Sequence, residues 1–316
     1  MRNEDLSQHD GIDRRGFLEC MAWAGTGLVW TVSGGLPGAR SFGQERKQAG
    51  PNDLSFVQIS DSHIGFSKDP NKDVVGTLQA VVDKINALPQ PPAFVLHTGD
   101  LTHLAKPEEF DTVAEVLKGV RAKIFYVPGE HDFDGEDNRL YLERYGKGIT
   151  GTGWHSFDHK DVHFVGLVNV AGAKSGSTAG LGQLGSEQLQ WLASDLQKIP
   201  ASKPVVVFAH VPLWSVYEKW GWATQDAEQA LKLLKRFGSV TVLNGHIHQV
   251  MQKVEGNVMF HTARSTAFPQ PEPGKAESPG PVKNVAADKL RGLLGVTNVR
   301  YAEGKNSLAV VDSTLE

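Results

Sequence analysis

Residues 56–63 read Phe-Val-Gln-Ile-Ser-Asp-Ser-His, a short apolar run that ends in an acid and an imidazole. Similar constructions recur along the chain. Phe94-Val95-Leu96 leads to Gly99-Asp100, and Ile124-Phe125-Tyr126-Val127 leads to Gly129-Glu130-His131-Asp132. Val205-Val206-Val207-Phe208 leads to His210, and Val240-Thr241-Val242-Leu243 to Gly245-His246-Ile247-His248. Apolar, β-branched runs of this length read as buried strands of a mostly parallel sheet. Open α/β sheets bind ligands at the carboxyl ends of their strands. Separate pieces of chain therefore deliver Asp, His and Glu to one sheet edge, and holding metal is the purpose that best fits such a convergence.

Within a strand, residues i and i+2 point to one side, so Asp61 and His63 should aim at a common point, as should His246 and His248. Taken singly, each of these residues is more often structural than a ligand. The argument rests on finding them all at strand ends. The single cysteine, Cys20, lies in a segment read below as removable, which leaves imidazole and carboxylate as ligands; these suit Zn, Mn and Fe. A net charge of −4 gives no case for a nucleic-acid-binding patch or an anionic membrane.

Helical spacing of apolar residues predicts helices over 73–87, 107–118, 186–198 and 225–236, as cross-overs between parallel strands. Residues 154–158, 163–168, 250–255 and 258–262 read as antiparallel ladders, the last two joined by a Gly256-Asn257 turn. Residues 268–283 hold five prolines and read as an irregular surface loop. Residues 295–301 and 307–312 read as a closing strand pair around a turn at 303–306. There is no internal repeat and no second domain in this reading.

The front of the chain is different. Residues 13–18, Asp-Arg-Arg-Gly-Phe-Leu, resemble the twin-arginine export motif, and a weakly apolar, glycine-rich stretch follows over 20–39. The expectation is a signal peptide over 1–43, a linker over 44–52 and one domain over 53–316. The protein would be carried by the twin-arginine export machinery to a periplasmic or extracellular location. An uncleaved membrane anchor is the competing reading of 20–39.

The order of the blocks resembles the calcineurin-like metallophosphoesterase family, whose pattern is D-x-H, G-D, G-N-H-[D/E], a lone His and G-H-x-H. The resemblance runs from Ser55 to Thr262. It implies an α/β fold, a two-sheet αββα sandwich with metals at the C-terminal ends of strands. It implies that Asp61, His63 and His248 bind one metal, that Asp100 bridges, and that His210 and His246 bind a second. His131 would serve the leaving group, with Asp132 orienting its ring. The implied cofactors are two divalent or trivalent ions (Fe, Mn or Zn). The implied activity is hydrolysis of a small-molecule phosphate ester, a phosphodiester favoured, by attack of a metal-bound hydroxide.

One ligand departs from the pattern: Glu130 stands where the family has Asn. Either Glu130 joins the second metal as a third carboxylate, or it turns away and leaves that site weak. A disabled site would make the chain a non-catalytic exported metal-binding or interaction protein. A metallohydrolase of another ester or amide is a third reading. Among neighbours of the motifs, His97 reads as buried and His103 as close to substrate. His155, His159 and His163 read as surface, His261 as structural, and Arg264 as a candidate for a substrate phosphate. Trp214, Tyr217, Trp220 and Trp222 either wall a pocket beside the metals or pack a loop.

Overall fold

A computed structural model describes residues 28–33, 36–41, 53–133, 138–170, 181–302 and 308–316. The chain divides into two units, Met1–Gly50 and Pro51–Glu316. In the first, β1 (Leu28–Ser33) and β2 (Leu36–Ser41) form an antiparallel hairpin that overlaps the stretch read as the apolar part of an export signal. The twin-arginine pair, the linker 44–52 and the turn at 303–306 lie outside the described residues. Among the described residues no helix is long and apolar enough to cross a membrane.

The second unit is an alternation of strands and helices. They are β3 (Leu54–Ile59), α1 (Val74–Asn86), β4 (Phe94–His97), α2 (Pro107–Leu117), β5 (Lys123–Tyr126), α3 (Arg139–Tyr145), β6 (His155–His159) and β7 (Val162–Gly166). Then come α4 (Ser186–Leu196), β8 (Val205–Ala209), α5 (Ala227–Leu234), β9 (Val240–Asn244), β10 (Gln252–Glu255), β11 (Val258–Thr262), α6 (Ala287–Leu293), β12 (Gly295–Tyr301) and β13 (Ala309–Thr314). One sheet has the order β13-β12-β3-β4-β5 and the other β10-β11-β9-β8-β7-β6. The strands that carry the motifs, β3-β4-β5 and β8-β9, run parallel. Their carboxyl ends therefore lie at one end of each sheet.

Alternation along each strand builds the layers. Phe56, Phe94, Leu96, Phe164, Val206, Phe208 and Leu243 form one buried cluster between the sheets. The alternate residues Val57, Ile59 and Val95 pack against Leu78, Val81 and Val82 of α1 and Phe110 and Val113 of α2. On the second sheet, Val205, Val207, Val240 and Val242 pack against Leu192 and Leu196 of α4 and Ala230 and Leu234 of α5. The result is the expected αββα sandwich. Gln58 breaks the apolar pattern of the inner face for a reason: its Nε2 donates to Thr98 Oγ1 (3.0 Å) and Asn244 O (3.1 Å), lacing the two sheets at the motif-bearing end.

Some expectations need correction. The hairpins β6-β7 and β10-β11 are antiparallel as read, but β7 and β11 also pair in parallel with β8 and β9. His155 and His163 are buried rather than on the surface. His155 lies edge-on to Phe208, and His163 is held between Asp158 Oδ1 (3.1 Å) and Asp195 Oδ2 (2.9 Å). The short helices α3 and α6 were not anticipated.

Phe94 centres the inter-sheet cluster, with Phe56 and Phe164 each 5.1 Å away and Phe125 and Phe157 at 5.5 and 5.6 Å, ring centroid to centroid. Phe94→Ala is expected to cost about 3–5 kcal/mol of stability. Urea unfolding followed by circular dichroism measures this, and a loss below about 1 kcal/mol would contradict the packing described.

Candidate metal centre

The strands stop before the chemistry begins. β3 ends at Ile59 and β9 at Asn244, whereas Asp61, His63, His246 and His248 lie in the loops beyond. These four have φ of 56°, 41°, 70° and 55°, and Asp100 has 53°, all in the left-handed region. Convergence of Asp-x-His and His-x-His thus comes from left-handed turns and not from strand pleat, which corrects the i, i+2 expectation. Asp and His tolerate this region better than branched residues, but each such backbone stores on the order of 1–3 kcal/mol and persists only where its surroundings fix it. Bonds between loops do so here. Asp61 N–H donates to Gly99 O (3.0 Å), His63 N–H to Asp100 O (2.9 Å) and Gly245 N–H to His210 O (3.0 Å). Two glycines provide the clearance: a Cβ on Gly129 would strike Asp100 Oδ1, and one on Gly245 would lie 2.7 Å from Asp61 Oδ2.

The side chains meet in two groups, Asp61/His63/His248 and Glu130/His210/His246, with the ligand atoms of each group within 4.8 Å of one another. In the first, His248 Nε2 lies 3.2 Å from both Asp61 Oδ1 and His63 Nε2. In the second, His210 Nε2 is 2.9 Å from Glu130 Oε2, and His246 Nδ1 is 3.0 Å from Glu130 Oε1. Asp100 Oδ2 stands between the groups, 3.4 Å from His63 Nε2 and 3.3 Å from His210 Nε2. All seven residues read as ligands are brought together, and Glu130 turns inward.

Hydrogen bonds on the far side of the rings set the tautomers. His210 Nδ1–H donates to Thr98 O (2.7 Å) and His248 Nδ1–H to Phe268 O (2.6 Å). A carbonyl only accepts, so in each neutral ring the Nε2 lone pair faces the centre. His246 Nε2 is buried without a hydrogen-bond partner. Lone pairs and carboxylate oxygens packed this closely fit a shared cation, and the N/O donor set suits Zn, Mn or Fe. Burial, reinforced by His131, His248 and His103, holds His63 neutral, with its pKa well below the ordinary value. Burial opposes ionisation of Asp61, but His248 and His210 bring it down to about 2. Glu130 is likewise held well below the usual range by His246 and His210 despite burial. Burial disfavours charge on His210, yet Asp100 and Glu130 raise it well above the ordinary value, so proton and metal compete for its Nε2.

His131 stands beside this centre, half-buried. Its backbone N–H donates to Asp100 Oδ1 (2.9 Å), and its Nδ1–H donates to His103 O (2.7 Å), leaving Nε2 free of that tether. The His103 ring stacks on it at 5.0 Å and 13°. Burial lowers the His131 pKa, but Asp100, Glu130 and the His103 carbonyl outweigh it and leave the pKa raised. Asp132 does not orient the ring, contrary to expectation. Its carboxylate accepts from the backbone N–H of Leu101 (3.1 Å), Thr102 (2.9 Å) and Gly129 (3.0 Å), pinning the turn that presents Glu130 and His131. Burial and Asp100 push Asp132 up to about 7 against these donors.

Other neighbours separate cleanly. His97 is buried and bonds Ser62 Oγ (2.8 Å), and His261 is buried and bonds Asp312 Oδ2 (3.0 Å). Arg264 donates from Nη1 to Leu293 O (3.3 Å). Trp220 and Trp222 pack a loop against Ile247, the residue between His246 and His248, while Trp214 packs on Phe260. Sequence reasoning missed Phe268. Its ring lies 4.8 Å from both His63 and His248, and its carbonyl orients His248. The only sequence signal for it was an uncharged Ser-Thr-Ala-Phe run just before the prolines.

Comparison with known proteins agrees with this geometry. A family model for calcineurin-like phosphoesterases matches residues 54–250. A 3',5'-cyclic-nucleotide phosphodiesterase of Nostoc sp. is 27% identical over 222 residues, covering 68% of this chain and 79% of the relative. A probable glycerophosphodiester phosphodiesterase of Arcobacter nitrofigilis is 28% identical over 225 residues, covering 67% and 78%. Among solved structures, a dimetal phosphatase from Danio rerio superposes with a TM-score of 0.58 at 15% identity, over 83% of this chain and 99% of that one. The purple acid phosphatase of yellow lupin gives a TM-score of 0.58 at 11% identity, over 85% and 52%. These structures share the fold. With its motif blocks in the family's order and its model match spanning most of the sandwich, the chain belongs to the calcineurin-like phosphoesterase family.

Proposed function

We propose that the chain is a dinuclear metal-dependent phosphodiesterase acting on a small-molecule ester. The observation that carries this is the pair of ligand groups sharing Asp100, with His131 beside them. Asp61, His63 and His248 would hold one ion, and Glu130, His210 and His246 the other. The chemistry such ions supply when bound is a nucleophile from water at neutral pH and a clamp on phosphate oxygens. The chain's own residues do the rest. The inner hydrogen bonds keep the ring nitrogens aimed, and Asp132 holds the turn. His131 donates a proton from Nε2 to the leaving oxygen, its ring anchored by the His103 carbonyl. The names of the two relatives support a diester.

A metal-binding protein without activity was the rival reading, and it rested on Glu130 being a damaged ligand. The inward carboxylate, contacting both His210 and His246, counts against it. Export through the twin-arginine machinery to a periplasmic or extracellular location completes the proposal, supported by Arg14-Arg15 and the uncharged stretch behind it.

Bis-p-nitrophenyl phosphate is expected to be hydrolysed faster than p-nitrophenyl phosphate, with EDTA abolishing both activities and Mn, Fe or Zn restoring them. Hydrolysis of p-nitrophenyl acetate alone, or of none of the three, would refute the proposal. His131→Asn should keep its metal content yet lose at least about a hundredfold in turnover of an alkyl diester, in line with general-acid help of roughly 10²–10⁴. Unchanged turnover with that substrate removes His131 from the reaction. Replacing Arg14 and Arg15 together by Lys should trap the protein in the cytoplasm on cell fractionation. Export of that variant would refute the twin-arginine route.

A further inference from the structure

The two ligand groups match in charge. Each offers one carboxylate and two imidazoles, and Asp100 is shared between them. Asp61 faces His248 (3.2 Å) as Glu130 faces His210 and His246 (2.9 and 3.0 Å), and Asp61 also accepts the His246 backbone N–H (3.1 Å). All of these residues are buried. Glu130 is not an accidental visitor. It opens the turn Glu130–Asp132, which the Asp132 carboxylate ties to Leu101 and Thr102, and Gly129 lets that turn lie directly on Asp100. A neutral amide at position 130 would leave one ion facing a full carboxylate and a share of Asp100, and the other facing only the share.

We infer that Glu130 equalises the two halves of the centre, so that the chain holds two divalent ions of like affinity rather than one tight and one weak. The inference rests on the dinuclear reading above. Affinity for hard and borderline cations follows the number of charged ligands, and the ligand charge is here the same on both sides. The longer Glu side chain reaches both imidazoles because the Glu130–Asp132 turn is held close against Asp100.

The test is binding of Mn²⁺ alone to the chelator-stripped full chain, by equilibrium dialysis with elemental analysis. Wild type should take up two ions over one concentration range and release them together to a chelator. Glu130→Gln should keep one ion at wild-type affinity and bind the other at least about tenfold more weakly. Asp61→Asn should produce the same split from the opposite half. Circular dichroism and the retained first ion report that each variant is folded. Two wild-type ions differing by more than about tenfold, or a Glu130→Gln protein that keeps both at full affinity, overturns the inference while leaving the dinuclear reading standing. Fewer than two ions in wild type overturns both.

Discussion

The carboxylates of Asp61, Asp100 and Glu130 meet in a space nearly closed to water, and that crowding governs the molecule. Buried like charges are tolerated only when a positive partner lies among them. Imidazoles from four loops surround these acids, and outward hydrogen bonds to Thr98 O and Phe268 O aim the Nε2 atoms of His210 and His248 at them. Protons on His210 satisfy part of the demand, and a cation satisfies it better because one ion can serve several oxygens at once. The same crowding explains why the centre is built on loops under backbone strain. No regular strand could bring Asp61, Asp100 and His246 so close.

The sandwich provides what that strain requires. Gln58 and Asn244 are fully buried amides that tie β3 to β9 across the two sheets and β9 to β8 just beneath the ligand loops. The loops after β3 and β4 stay paired beyond the strands, through His63 N–H to Asp100 O and Ile64 N–H to Leu101 O. Above them, Trp220 and Trp222 press on Ile247, and Phe268 covers His63 and His248. His63 and His248 are thus fixed from two directions, by the sheet below and by an aromatic cover above.

Much of this was legible in the sequence because apolar runs, terminal glycines and Asp/His pairs are local signals. The strands ending at Ile59, His97 and Asn244 were marked by β-branched and aromatic residues, and their polar successors stood out by contrast. What escaped was non-local or conformational. The left-handed φ of His246 is not implied by its neighbours. The role of Phe268 depends on a contact with His63 across some two hundred residues, and the burial of His163 is matched by a bond to Asp195 from α4. Asp132 looked like a partner for His131 by adjacency, but a tight turn sends consecutive side chains to different places. The short helices α3 and α6 have seven residues each, too few to establish a clear period.

Glu130 shows where residue identity and structure must be read together. By identity it is a departure from the family pattern and invites the reading of a broken site. By position it is the mirror of Asp61, placed by a pinned turn and aimed at two imidazoles that a neutral side chain would serve less well. A lost ligand would leave its neighbours rearranged or solvated, whereas His210 keeps its bond to Thr98 O and remains fully buried. The substitution therefore reads as a change in the charge of a working centre. Glu130 thus sets the charge of the half it belongs to, with Asp100 standing between the halves, and it does so from outside the Asp-x-His motif altogether.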